Sequence, residues 1–222
     1  MKRRELIAIL ASSAAAAEGC HGQETPARYA GPVALPPARG TGAVSLEEAL
    51  ARRRSRRTFG PGPLPVATIG QLLWAGQGIT SPNGFRTAPS AGALYALELY
   101  AVTASEVMHY LPGGHRAETR PSPDLRPQLQ AAAVDQTSVG TAPVVIAIAA
   151  EPARLSQRYG ERAEAYSGLE AAHAAQNILL QAAGLGLGAV PVAAVDGPRA
   201  AGILGLPHGH TIIYVIPVGP AA

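Results

Sequence analysis

Apolar positions recur along the chain at two periods. Leu46, Ala49 and Leu50 follow Ser45, and Glu48 stands three residues after it, the spacing of a capping box. A helix is therefore predicted from Ser45 into the arginine-rich stretch beyond, ended by Gly60-Pro61-Gly62-Pro63. Ile69, Leu72 and Leu73 mark a second helix that stops at Gly76 and Gly78. Leu169, Ala172, Gln176, Leu179 and Ala183 mark a long one that ends at Gly184. Between these, Leu97–Thr103 and Val107–Leu111 read as a strand hairpin, with Pro112-Gly113-Gly114-His115 a turn and a polar stretch after it. Val144–Ala149 is wholly apolar, as expected of a strand covered on both faces. Gly188–Val195 and Thr211–Val218 supply two further strands. Helices and strands mix without regular alternation, which predicts an α+β fold rather than a doubly wound one.

The first 44 residues break this pattern. Lys2-Arg3-Arg4 and Glu5 precede an apolar run from Leu6 to Ala17, the basic and hydrophobic regions of an export signal, too short to span a bilayer. Paired Arg3-Arg4 resembles the twin-arginine class. Ala17-Glu18-Gly19-Cys20 resembles a lipoprotein cleavage site, with Cys20 as the lipid anchor. Residues 1–20 are thus expected to be a signal peptide that sends the protein to the periplasm or a membrane surface; the alternative is a plain tail on a cytoplasmic protein. Residues 21–44, rich in Gly, Pro, Ala and Thr, read as a flexible linker, which leaves 45–222 as the folded domain.

Composition changes this picture in few places. With 25 Gly, 20 Pro and 5% aromatic residues, the core must be built from Ala, Val, Leu and Ile. The net charge of +3 is arginine-borne, since Lys2 is the sole lysine, and it concentrates in Arg52–Arg57. That cluster lacks the aromatic interleaving of a nucleic-acid site, so no nucleic-acid partner is expected. A single cysteine excludes an intrachain disulfide. His208-Gly209-His210 offers two ligands without a third and reads as a turn before a strand, so no metal is expected.

Three segments carry candidate chemistry. In Arg53-Arg54-Ser55-Arg56-Arg57, alternation in an extended chain would aim Arg53, Ser55 and Arg57 one way, where guanidinium forks and a hydroxyl suit a phosphate. Alone, such a run reads as solvated surface. In Arg86-Thr87-Ala88-Pro89-Ser90-Ala91-Gly92-Ala93-Leu94-Tyr95, small side chains would let the backbone approach a planar ring, although composition alone suits an ordinary turn. Gly184-Leu185-Gly186-Leu187-Gly188, followed by Ala189 to Ala194, places its glycines between a helix and a strand. A dinucleotide fingerprint needs them between a strand and a helix, so a Rossmann reading fails.

In this order and spacing, from Ser45 to Val218, the three segments resemble the nitroreductase superfamily. Residues 86–95 and the run His173-Ala174-Ala175-Gln176-Asn177-Ile178-Leu179-Leu180-Gln181-Ala182 bring the chain nearest its SagB-type dehydrogenase branch. The resemblance implies an α+β fold with a central, mostly antiparallel sheet flanked by helices, and FMN bound at a homodimer interface. It implies that Arg53, Ser55 and Arg57 hold the phosphate and ribityl end, that Pro89, Ser90 and Gly92 line the ring, and that Gln136 binds its polar edge. Pro191, Val192, Ala193 and Ala194 would lie against the flavin, the backbone amide of Ala193 near N5, where it acts in catalysis. Asn177 and the long helix, with His173, would be structural or interfacial. The implied activity is FMN-dependent oxidoreduction by hydride transfer through N5, on a small-molecule or peptide substrate and with an unnamed electron donor. A dehydrogenase acting on azolines of a modified peptide and a non-catalytic flavin-binding module are the alternatives. Two departures bear on these. The better-known nitroreductases carry a basic C-terminal segment where this sequence reads Pro220-Ala221-Ala222, and azoline-oxidising members use a Lys-Tyr pair, for which Tyr159 or Tyr166 stands here without a lysine.

Overall fold

The computed structural model describes residues 28–222; the expected signal peptide and Cys20 lie outside them. Within that range β1 (Val33–Ala34), β2 (Leu97–Val102), β3 (Glu106–Leu111), β4 (Arg116–Pro121), β5 (Val144–Ala150), β6 (Leu187–Ala189) and β7 (Thr211–Pro220) form one sheet in the order β1-β4-β3-β2-β5-β7-β6. Every neighbouring pair is antiparallel. The helices are α1 (Leu46–Arg52), α2 (Val66–Gln77), α3 (Arg126–Ala132), α4 (Thr137–Thr141), α5 (Ala153–Tyr159), α6 (Ala163–Gly184) and α7 (Gly197–Ile203). The α+β architecture read from the pattern is the one observed.

The central strand β5 shows how the layers are set. Val144, Ile146 and Ile148 project into a core shared with Ile69, Leu72 and Leu73 of α2 and Ala171, Ala174 and Ile178 of α6. Val145, Ala147 and Ala149 project the other way, onto Leu129 of α3, Val139 of α4 and Ala200 of α7. Both faces are thus covered, and Ala on one of them lets the short helices pack close. Among the described residues no helix is long and apolar enough to cross a membrane.

Four differences from the sequence reading have physical causes. The stretch 28–44, read as part of a tether, is held at the domain: Val33 and Ala34 pair with Ala117 and Arg116, Leu35 is buried, and the side chain of Gln71 bonds both the N–H and the C=O of Arg39. Backbone pairing needs no apolar period, so composition hid it. The helix from Ser45 is capped as expected, the Ser45 hydroxyl accepting the Glu48 N–H at 3.1 Å, but it ends at Arg52, well before Gly60, and the arginines beyond it run extended as the alternation required. The polar stretch after the hairpin holds strand β4, which lies one strand from the sheet edge and has no fully apolar face. The strand expected over 188–195 stops at Ala189. The Val190 N–H still donates to the Pro217 carbonyl at 3.3 Å, Pro191 offers no N–H, and beyond it Val192 exchanges hydrogen bonds with Val215.

Candidate functional site

The arginine segment is fixed along the rim of the sheet. Ser55 bridges Ala189 in parallel, the Arg56 N–H donates to the Ala189 carbonyl at 3.0 Å, and farther along the Gly60 N–H donates to the Pro220 carbonyl at 2.9 Å. Gly188 permits this crossing: a Cβ there would stand 3.0 Å from that of Arg56. The first and third segments of the sequence are thereby side by side. A cleft of ≈ 280 Å³ opens between them and the end of α6, walled by Arg52, Arg53, Arg54 and Arg56 with Leu179 and Ala183. Arg54 also caps α1, donating to the carbonyls of Ala51 and Arg53. Among the described residues, Arg53, Arg54, Arg56 and Arg57 have no carboxylate within ion-pair distance. A row of uncompensated guanidinium groups is what a phosphate dianion requires. Ser55 and Arg57 stand exposed outside that cleft's wall, so the alternation read from the sequence does not divide the arginines as expected.

Beyond β6, Pro191 is half-buried and Val192 buried, while Ala193 and Ala194 are exposed. Among the described residues no acceptor takes the Ala193 N–H, which is therefore open to a ligand. The Asp196 N–H donates to the Ala132 carbonyl at 2.8 Å and so brings the end of α3, four residues before Gln136, against this segment. Gln136 itself caps α4, its carbonyl accepting the Val139 N–H.

The loop 86–95 is built differently. Gly92, Ala93 and Tyr95 all adopt left-handed backbone, with φ of 59°, 54° and 51°. For Ala93 and Tyr95 that geometry is strained and must be enforced from outside. The Ser90 hydroxyl accepts the Tyr95 N–H at 2.8 Å, Arg154 donates to the Tyr95 carbonyl at 3.0 Å, and the Arg86 guanidinium lies 4.3 Å from the centre of the Tyr95 ring. From α6, Asn177 donates to the Thr87 carbonyl and Glu170 accepts the Ala91 N–H at 2.8 Å. Pro89 and Gly92 are left exposed. Tyr159 and Tyr166 pack edge to face beside Gly92, with ring centres 5.0 Å apart.

A charged network backs this loop. Arg154 pairs with Glu98 and Glu151, and His109 bonds Glu98 at 2.9 Å. Burial pushes the Glu98 carboxyl up, yet the His109 hydrogen bond and the Arg154 charge outweigh it and hold the group below its ordinary value. Burial lowers the Arg86 guanidinium from its usual range.

Within one chain the two groups of residues do not meet. The Ala91 turn of the loop joins α6 at Glu170, although Thr87 at the loop's start joins it at Asn177, whereas the arginine cleft meets the helix at Leu179 and Ala183. Nine to thirteen residues of helix separate the Ala91 turn from the cleft, about 14–20 Å along the axis. Sequence reasoning missed Glu170, Asn177 as the anchor of Thr87, and Arg154. A signal existed for Glu170, a charge at a core-facing position between Ser167 and Ala171.

A three-layer α+β protein with an arginine cleft at one end of its long helix and a strained loop on the other half defines a class with split ligand groups. The chain belongs to the nitroreductase family, whose profile matches residues 50–220. It is 38% identical over 157 residues to a nitroreductase-family protein of Methanocaldococcus jannaschii, covering 68% of this chain and 79% of that one. A nitroreductase-family structure from Ralstonia eutropha superposes with a TM-score of 0.78 at 29% identity, over 89% of this chain and 95% of the other. The NADPH:FMN oxidoreductase of Vibrio harveyi, solved with NAD+, superposes with a TM-score of 0.60 at 20% identity over 79% and 68% of the chains, a likeness of fold.

Proposed function

We propose that this protein is an FMN-dependent oxidoreductase that works as a homodimer, each flavin held by the arginine segment of one subunit and the 86–95 loop of its partner. The separation of the two groups along α6 carries this reading. A two-fold axis across α6 sets the helices antiparallel, so that the end of one lies beside the start of the other and the partner subunit's Pro89 and Ser90 come within reach of Arg53 and Ala193. The exposed face of α6 suits that contact: Ala165, Leu169, Ala172, His173 and Gln176 are all open, with Leu169 58% exposed.

The residues present fit the cofactor. Arg53, with Arg54 and Arg56 around the cleft and Arg57 and Ser55 beside it, would bind the phosphate. Pro191 to Ala194 would lie along the ring, and the open Ala193 amide would donate to its N5 side. Flavin, when bound, supplies two-electron hydride chemistry. The protein positions it and places its dipoles. The SagB-type, azoline-oxidising branch is the finer reading of the same site, and in it Tyr159, whose hydroxyl lies next to Gly92, would serve as the substrate-side acid. With residues 1–20 as an export signal, the donor would come from outside the cytosolic nicotinamide pool.

The test is complementation between subunits. Full-length Arg53→Ala/Arg57→Ala and Gly92→Val proteins should each take up little FMN. Dissociated and mixed, they should recover about a quarter of the wild-type sites, because half of the dimers are mixed and each of those has one intact site. A site contained in one chain would recover none. A wild type that takes up no FMN would leave a binding or structural role in place of the enzyme.

A further inference from the structure

We propose that Glu170 is a positioning residue of the ring-lining loop and that its charge sets the potential at which the bound flavin works. This rests on the reading above, in which the loop faces the partner subunit's flavin.

The side chain is 4% exposed and leaves α6 on the face where Ser167, Ala171 and Ala174 pack against the sheet. Its Oε1 accepts the Ala91 N–H, and that amide opens the turn in which Gly92 and Ala93 go left-handed. Its Oε2 is buried and has no hydrogen-bond partner among the described residues. Among the described residues no cation lies within ion-pair distance of it either: Arg154 is engaged by Glu98 and Glu151, Arg86 by Gln77 and the Tyr95 ring, and Arg158 lies against Gly92. A buried carboxylate with one oxygen unsatisfied is costly. Glutamine would keep the bond to Ala91 without burying a charge, so holding the loop does not by itself call for one.

The charge has a consequence at the loop surface. The small residues Ala91, Gly92 and Ala93 shield a ligand poorly from a negative group in a medium of low dielectric, although the Arg158 guanidinium and the Tyr159 hydroxyl lie against Gly92. Electrons added to a ring above that loop meet this anion, which Arg158 offsets only from outside ion-pair distance, and the flavin is harder to reduce. Glu170 thus shapes the loop through one oxygen and biases the cofactor through its charge.

The experiment uses the full chain as wild type, Glu170→Gln and Glu170→Ala, with FMN as the probe. The dissociation constant is read by flavin fluorescence and the midpoint potential by spectra equilibrated against reference dyes. Glu170→Gln should bind FMN within about threefold of wild type, since the hydrogen bond stays, and its potential should move in the positive direction. Glu170→Ala should bind at least about tenfold more weakly, since the Ala91 amide loses its acceptor. If Glu170→Ala fails to fold, the potential of Glu170→Gln decides. A wild type that binds FMN, with Glu170→Gln at an unchanged potential, overturns the role of the charge while leaving the site reading intact. A wild type that takes up no FMN overturns both.

Discussion

The arginine segment and the 86–95 loop lean on the same helix, yet they are stabilised by different means. Arg53 to Arg57 run in extended backbone, pinned at Ser55 and Arg56 to Ala189, and among the described residues their side chains have no acidic partners. The loop is the reverse. Its backbone is strained at Ala93 and Tyr95, and nearly every polar group near it is engaged, from Ser90 and Arg154 to Asn177 and Glu170. One half attracts a ligand by charge and needs little shape; the other presents a shape and offers little charge. Mutations should therefore fail in different ways on the two sides.

The largest effect belongs to the arginines. Charge-assisted hydrogen bonds contribute about 1.5–3 kcal/mol each, so Arg53→Ala with Arg57→Ala should weaken FMN binding by at least about 100-fold. Thermal stability should hardly move, because neither side chain has an ion-pair partner among the described residues. Wild-type affinity should also fall with added salt, and the double variant should lose that dependence. A fluorescence titration at two ionic strengths reads both; equal salt slopes would mean that the phosphate lies elsewhere.

On the loop side the order reverses, with stability moving more than affinity. Ser90→Ala removes the acceptor of the Tyr95 N–H and should cost about 1 kcal/mol of stability. Ala93→Gly, added to it, should return part of that loss, since glycine takes a φ of 54° without the left-handed penalty of about 1–2 kcal/mol. Urea unfolding of the two variants checks this. Failure of Ala93→Gly to recover any stability would show that the strain attributed to the loop is not there.

How legible these halves were in the sequence follows the same division. The arginine run, the small-residue loop and the glycine-rich helix end were visible as segments because residue type alone marks them. So were α6, β5 and the hairpin, whose periods are long or unbroken. What the sequence hid depends on where backbone polar groups go. The Ser55–Ala189 bridge, the edge pairing of Val33 and Ala34, and the early end of the strand before Pro191 follow from contacts distant along the chain. The short helices α3, α4, α5 and α7 escaped notice because five to seven residues hold too few turns to show a period. Arg154 and Glu98 look like ordinary surface charges until the fold joins them behind Tyr95.

That pair gives the smallest and most selective of the expected effects. The folded-state pKa of Glu98 is depressed, so the stability it contributes is fully present above its ordinary value of 4.5 and is lost as pH falls through the lower folded value. Burial opposes His109 and Arg154 in setting that shift, so the loss should be modest. Protonating Glu98 frees one side of Arg154, and with it the grip on the Tyr95 carbonyl, while the arginine segment has no carboxylate to lose. Acidification toward pH 4 should therefore speed amide exchange around residues 90–96 while leaving Arg56, bonded to Ala189, nearly unchanged. In Glu98→Gln the same titration should be flatter. If both segments loosened together in the wild type, acid would be acting on the whole fold rather than through this carboxylate.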